Sequence, residues 1–373
     1  MRPDSAPPVP VPLGGGRTYA IHLRPLADAP ALLHEAGLRV GPCLVVTDAN
    51  VAALYLRPLR EAVEAAGWTV HTQILPPGEE TKSAAHLTAL HDWALELGLD
   101  RKTPLLALGG GVVGDLAGFA AATLLRGLPL VHLPTTLVAQ ADSAIGGKTG
   151  INHATGKNLI GTFWQPRFVL ADPATLQTLP EREWTSGLAE VVKAALIADA
   201  DFFAWLDARW EDVMAREPEA VAALVRRAAG IKAEIVAEDE REAGRRALLN
   251  FGHTFGHAIE RAAGYGTFTH GEAVAVGMRA ALHLSHALRP DASFDRADAL
   301  VARLPVPSGL ATIPTAALTT AMQTDKKRDA GQLRFVVLDE IGRARLADGV
   351  TPEAVAAAWA YAKNTRYSAD GAR

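Results

Sequence analysis

Hydrophobic positions follow two different rhythms along the chain. In the first half, short apolar runs rich in β-branched residues alternate with amphipathic stretches. "CLVVTD" (43–48), "TVHTQIL" (69–75), "PLLALGG" (104–110), "PLVHLP" (129–134) and "RFVLAD" (167–172) predict strands. Between them, "AALYLRPLREAVEAAG" (52–67) and "SAAHLTALHDWALELG" (83–98) carry apolar residues at helical spacing. Strand–helix alternation at this interval predicts an α/β domain with a mostly parallel sheet, whose ligands gather at the carboxyl ends of the strands. From about Trp184 the pattern is helical almost throughout, interrupted by "LRFVVLDE" (333–340) and "GRARLA", a candidate hairpin. The expected organisation is a loose, flexible N-terminal tail (1–16), an α/β domain (17–180) and a mainly α-helical domain (181–373) with a frayed end.

Composition narrows the class. At 373 residues, 49% hydrophobic and 21% charged, the chain suits a globular protein with a sizeable core. A net charge of −4 offers no general attraction to phosphate backbones, so no nucleic-acid partner is expected. No run of about 18 apolar residues predicts a membrane span. The opening "MRPDSAPPVPVPLGGG" lacks the cationic start and apolar run of a signal peptide. Cys43 is the single cysteine, which excludes a disulfide within the chain and fits a reducing cytoplasm.

Lysine placement changes the picture. Only nine of the 37 basic residues are lysine, and most stand in or beside Gly-, Asn- or Asp-marked segments. Lysine is a compact ammonium suited to phosphate contact and proton transfer. In "LLALGGGVVGDLAGFAAATLLRG", Gly109, Gly111 and Gly114 have the G-x-G-x-x-G spacing in a strand–turn–helix context, where backbone N–H groups can approach a pyrophosphate. The acidic residue expected about twenty positions later is absent, and position 126 is arginine. Asp48 and Asn50 in "VVTDAN", with Glu79 and Lys82 in "PGEETKS", supply polar groups at other strand ends. Three such loops favour a nucleotide site over a merely structural turn. "LPTTLVAQADSAIGGKTGINHATGKNLIGTF" (133–163) is too polar and glycine-rich for a buried element; with Lys148, Lys157 and Asn158 it reads as an anion cradle.

The second half carries candidate metal ligands: Glu190 in "SGLAEVVKAAL", His253 and His257 in "LLNFGHTFGHAIE", and His270 in "FTHGEAVAVG". Two histidines and a carboxylate with an open position form a common catalytic metal arrangement. Helical spacing puts Lys193 on the face of Glu190, and His257 on the face of His253. Spacing alone would pair His253 with His257, as in H-E-x-x-H sites. The general base of that motif would occupy position 254, a threonine, which argues against a metalloprotease. Arg246, Asn250, Glu260, Glu272 and Arg279 flank the histidines.

Six linked motifs, "GGGVVGDLAGFAAATLLRG", "PTTLVAQADSAIGGKTGINHATGKNLIGTFWQP", "SGLAEVVKAALI", "LLNFGHTFGHAIE", "HGEAVAVGM" and "DKK", closely resemble 3-dehydroquinate synthase, from about residue 13 to 345. Differences are confined to details such as "GINHATGKN" and the longer N-terminal tail. The resemblance implies a Rossmann-like NAD-binding domain, a helical metal domain and an active site in the cleft between them. It also implies conversion of 3-deoxy-D-arabino-heptulosonate 7-phosphate to 3-dehydroquinate by transient oxidation, phosphate elimination, re-reduction and aldol closure.

By motif position, Glu190, His253 and His270 match metal ligands for Zn²⁺ or Co²⁺, and His257 matches a substrate-facing residue. NAD contacts implied are Asp48, Asn50, Glu79, Lys82, Gly111, Val112, Val113, Gly114 and Asp115. Further along, they are Thr135, Thr136, Lys148, Lys157, Thr175, Leu176, Gln177 and Thr178. Substrate contacts implied are Asp142, Lys148, Asn158, Lys193, Lys232, Arg246, Asn250, His257 and a lysine of "DKK", Lys326. Lys193, His257 and Asp142 are the expected catalytic groups. Arg126 corresponds to a residue that reaches the neighbouring subunit's site, so a homodimer is expected. Related cyclases acting on substrates without a carboxylate, and a metal-dependent polyol dehydrogenase, are the alternatives.

Overall fold

A computed structural model describes residues 7–264, 266–291, 293–326, 334–364 and Tyr367. The chain divides into two compact units: Met1–Leu179 with Pro218–Arg241, and Pro180–Glu217 with Glu242–Arg373.

The first unit is built on a seven-stranded sheet. Its strands are β1 (Val9–Pro12), β2 (Thr18–Leu23), β3 (Pro42–Asp48), β4 (Thr69–Leu75), β5 (Leu105–Gly109), β6 (Leu130–Pro134) and β9 (Phe168–Ala171). The spatial order is β1-β2-β9-β6-β5-β3-β4, parallel except for β1 against β2. All five strands predicted from the apolar runs are present. Their side chains alternate between two cores: Cys43, Val45, Leu106 and Leu108 on one face, Leu44, Val46, Leu105 and Ala107 on the other. Burial on both faces is why these runs are nearly continuous in apolar residues. β3 pairs with β4 on one side and β5 on the other, so chain order reverses between β3 and β5. Crevices at such reversals are where α/β sheets bind ligands.

Two expectations about boundaries need correction. Residues 9–13 are not a loose tail: β1 pairs with β2, Val11 is fully buried and Leu13 nearly so, while residues 1–6 lie outside the described residues. The helix Pro218–Glu238 belongs to the first unit, because Ala229, Ala233 and Val236 pack on Val11, Tyr19 and Ile21. Within the polar, glycine-rich stretch 133–163, residues 148–163 form a two-stranded antiparallel hairpin, β7 (Lys148–His153) with β8 (Gly156–Phe163).

The second unit is mainly helical. Glu181–Ala198, His253–Ala263 and His270–Leu288 are its central helices, and the expected hairpin is present as β10 (Phe335–Glu340) with β11 (Arg343–Ala347). Among the described residues, no helix is long and apolar enough to cross a membrane.

Candidate active site

In the first unit, polar groups gather at the carboxyl ends of β3, β4, β5 and β6. Asp48 ends β3 and caps the following turn: its Oδ1 accepts from the N–H groups of Asn50 (2.9 Å) and Val51 (3.1 Å). Asn50 itself is exposed. β5 runs into the helix Gly111–Thr123, which holds Val112, Val113, Gly114 and Asp115 in its first turns. Gly110 is required for close approach, since a Cβ there would lie 2.9 Å from Thr136 Cγ2. Thr135 follows β6; its Oγ1 is buried with no hydrogen-bond partner, an unmet polar atom among groups suited to a nucleotide.

Lys82 is buried beside these loops. Its Nζ donates to Asp115 Oδ2 at 2.6 Å and to Asn158 Oδ1, and lies 3.9 Å from Glu79 Oε1. Burial pushes the Asp115 carboxyl above its ordinary pKa, and the Lys82 ammonium opposes that shift. Asn152, which sequence reasoning passed over, ties the group together: its Nδ2 donates to Glu79 Oε1 (2.7 Å) and its Oδ1 accepts from Asn158 N–H (2.9 Å). Lys148 is exposed at the start of β7, and Lys157 is half-buried in β8.

Thr175, Leu176, Gln177 and Thr178 form a 3₁₀ turn after β9. Tyr55, also unanticipated, anchors it by donating to Thr175 O at 3.0 Å and contacting Thr178 Oγ1. Asp142 lies on a π-helical turn, Ala139–Ser143, and accepts from Lys232 Nζ on the helix Pro218–Glu238. Arg126 is exposed on a loop where Leu125, Arg126 and Gly127 all have positive φ (50°, 67° and 123°). Left-handed non-glycine residues of this kind cost of order 1 kcal/mol or more each and cluster at functional sites.

In the second unit, three helices converge through glycine. A Cβ at Gly277 would lie 2.0 Å from Gly252 O, and one at Gly271 would lie 2.0 Å from Ser186 O. These contacts draw the helices His253–Ala263 and His270–Leu288 together, and the latter onto Glu181–Ala198. Glu190, His253 and His270 each direct a ligand atom into one cluster, with those atoms all within 4.8 Å of one another. Glu190 Oε1 stands 3.6 Å from His253 Nε2 and 3.3 Å from His270 Nε2. That oxygen is buried and has no hydrogen-bond donor, while Oε2 accepts from Lys193 Nζ. A buried carboxylate oxygen facing two imidazole nitrogens is a donor set that could hold a divalent cation.

The electrostatics of the three groups are set by burial and by one another. Burial opposes ionisation of Glu190, but Lys193, His253 and His270 hold its carboxyl well below the ordinary range. Burial keeps His253 well below its usual value, assisted by the Lys193 ammonium, leaving a neutral imidazole able to coordinate. Burial works against a charged His270, yet Glu190 and Glu260 outweigh it and raise its pKa to about 10.

His257 does lie near His253, with ring centroids 5.4 Å apart, but it is exposed and stands outside the Glu190 cluster. The i,i+4 pairing expected from spacing alone is therefore not the ligand pair. Arg246 is 1% exposed, and Asn250 is half-buried just before the first histidine helix. Two flanking groups turn out to be structural. Glu272 closes a capping box with Thr269 and accepts two bonds from Arg182, and Arg279 forks onto Asp298 at 2.8 and 2.6 Å. Lys326 ends the helix Thr315–Lys326, and its side chain lies outside the described residues, as does Lys327.

Comparison with known proteins gives a consistent pattern. Family models described as 3-dehydroquinate synthase N-terminal and C-terminal match residues 72–186 and 187–328. A 3-dehydroquinate synthase of Salinibacter ruber is 56% identical over 348 residues, 93% of this chain and 95% of that protein. Among solved structures, a 2-epi-5-epi-valiolone synthase from Streptomyces hygroscopicus subsp. jinggangensis with NAD⁺ and Zn²⁺ bound matches at TM-score 0.83 and 30% identity, covering 92% of this chain and 96% of that one. A 2-deoxy-scyllo-inosose synthase complexed with carbaglucose-6-phosphate, NAD⁺ and Co²⁺ matches at TM-score 0.83 and 26% identity, covering 95% and 99%.

Proposed function

Because the chain belongs to the 3-dehydroquinate synthase family, we propose that it converts 3-deoxy-D-arabino-heptulosonate 7-phosphate to 3-dehydroquinate and phosphate, with NAD⁺ and a divalent cation, Zn²⁺ or Co²⁺, as cofactors. The observation that carries this reading is the unsatisfied Glu190 oxygen facing His253 and His270, in a chain that shares more than half its residues with a synthase of that name.

The cation would be held by Glu190, His253 and His270. NAD⁺ would be held by Asp48, Asn50, Glu79, Lys82 and Asp115, by the turn 111–114, by Thr135, Thr136, Lys148 and Lys157, and by the turn 175–178. When bound, NAD⁺ supplies a reversible hydride acceptor, and the cation supplies a Lewis acid that eases loss of a hydroxyl proton. The net reaction is redox-neutral, since the hydride removed from the sugar acid is returned before ring closure.

The chain's own contribution is proton handling, positioning and charge. Lys193, paired with Glu190, or a water it orients, helps remove the proton of the hydroxyl that is oxidised. Oxidation to the ketone acidifies the adjacent C–H, and the substrate's own phosphate takes that proton as it departs. His257, exposed beside the cluster, assists the proton or anchors the phosphate. Asp142 fixes the ammonium of Lys232. Arg126, Lys148, Asn158, Lys232, Arg246, Asn250 and Lys326 meet the carboxylate and phosphate of the dianionic sugar. Arg126 serves the neighbouring subunit of a homodimer, a role supported by its exposure on a left-handed loop. The lone buried Cys43 suits a cytoplasmic location.

Substrate comparison tests this assignment. Incubated with NAD⁺ and Co²⁺, the protein should form 3-dehydroquinate from the heptulosonate phosphate. It should turn over the same sugar phosphate lacking the carboxylate at least about tenfold less efficiently, because Arg246 and Asn250 then lose their partner. Preference for the carboxylate-free sugar would instead make it a cyclase of the valiolone or inosose type.

A further inference from the structure

The imidazole of His270 is bracketed by two carboxylates. Its Nε2 lies 3.3 Å from Glu190 Oε1, and its Nδ1 lies 3.5 Å from Glu260 Oε2. Glu260 is 4% exposed and stands at i+7 from His253 and i+3 from His257 on one helix, so all three share a face. Burying a carboxylate is costly unless charge or hydrogen bonds compensate it. His253 offers the contrast: its Nδ1 faces the backbone oxygen of Phe251 at 3.2 Å, so its ring is oriented by a neutral acceptor. Both rings thus turn Nδ1 toward an oxygen and Nε2 toward Glu190.

We propose that Glu260 is the positioning residue of the metal centre: by accepting from His270 Nδ1–H it fixes the tautomer that presents Nε2 to the cation. The inference rests on Glu190, His253 and His270 being the cation's ligands. Outer carboxylates of this kind orient the ring and raise its basicity, and their loss weakens metal binding by about 10- to 100-fold. Glu260 adds a second buried negative charge close to the cation, which Phe251 O cannot do for His253.

Cobalt titration of the whole protein tests it, followed by visible d–d absorption and calorimetry. Glu260→Ala should weaken Co²⁺ binding about 10- to 100-fold and alter the absorption envelope. Glu260→Gln, whose amide oxygen can still accept from Nδ1–H, should weaken it less, and NAD⁺ affinity should stay unchanged in both. Should Glu260→Ala fail to accumulate, Glu260→Asp, which keeps the charge but shortens the reach, carries the same expectation of at least about tenfold loss. Wild-type Co²⁺ affinity in Glu260→Ala would overturn the proposal. So would two ions per wild-type chain with one lost in the variant, because His257, Glu260 and His270 would then be ligands of a second site. If Glu190→Gln leaves Co²⁺ binding intact, the ligand assignment itself fails, a result separable from either outcome at Glu260.

Discussion

His270 Nε2 stands 3.3 Å from Glu190 Oε1, although the two residues come from different helices and are far apart in sequence. The contact depends on a glycine: a Cβ at Gly271 would lie 2.0 Å from the backbone oxygen of Ser186. Any side chain at 271 therefore displaces the histidine next to it.

Gly271→Ala should destabilise the protein by about 3 kcal/mol or more and weaken Co²⁺ binding, because the helices must separate to admit the methyl group. Gly230→Ala provides the control. It lies inside the helix Pro218–Glu238 with nothing within 4 Å of its Cβ position, so alanine should stabilise by up to about 1 kcal/mol. Thermal or urea melts check both, and equal effects at the two positions would reject the packing account.

Glu190→Gln removes the one charged ligand and should lower Co²⁺ affinity by about 100-fold or more, abolishing turnover while NAD⁺ still binds. Calorimetry with each cofactor separately reads the two effects.

Lys193→Ala should lower kcat by about 10²- to 10⁴-fold, the range expected for loss of a positioned proton-transfer group, with little change in NAD⁺ affinity. Comparable losses of turnover and NAD⁺ binding would remove Lys193 from proton transfer.

His132 sets a pH dependence of stability. Its ring is buried in β6, and burial lowers its pKa to about 4 from the ordinary 6.5. The unfolded chain binds this proton below about pH 6.5, whereas the folded chain resists it until about pH 4, so the contribution to stability is present at neutral pH and is lost as pH falls through that window. The shift corresponds to about 3 kcal/mol. Urea midpoints should fall less steeply between the ordinary pKa of 6.5 and the lowered one of about 4 in His132→Leu than in the wild type.

How far the sequence reveals this molecule depends on the kind of physical constraint. Strands buried on both faces, such as Leu105–Gly109, leave continuous apolar runs and are plain to see. β1 is hidden because "VPVP" alternates with proline, which an edge strand tolerates while Val11 points inward. The helix Pro218–Glu238 shows that one face is buried but not that β1 and β2 cover it. Likewise, i,i+4 spacing places His253 beside His257 but cannot show that His270 completes the cluster, because that depends on how helices cross. Arg279 and Glu272 read as site neighbours because a charge in sequence carries no sign of its partner; Asp298 and Arg182 supply those partners.

The most direct test follows phosphate and 340 nm absorbance together as the protein acts on 3-deoxy-D-arabino-heptulosonate 7-phosphate with NAD⁺ and Co²⁺, with and without chelator. A redox-neutral synthase with a Glu190–His253–His270 metal centre predicts stoichiometric phosphate release, no net gain of NADH, and loss of activity in chelator that Co²⁺ restores. Accumulation of NADH without phosphate, or full-rate phosphate release from metal-stripped protein in chelator, would contradict it.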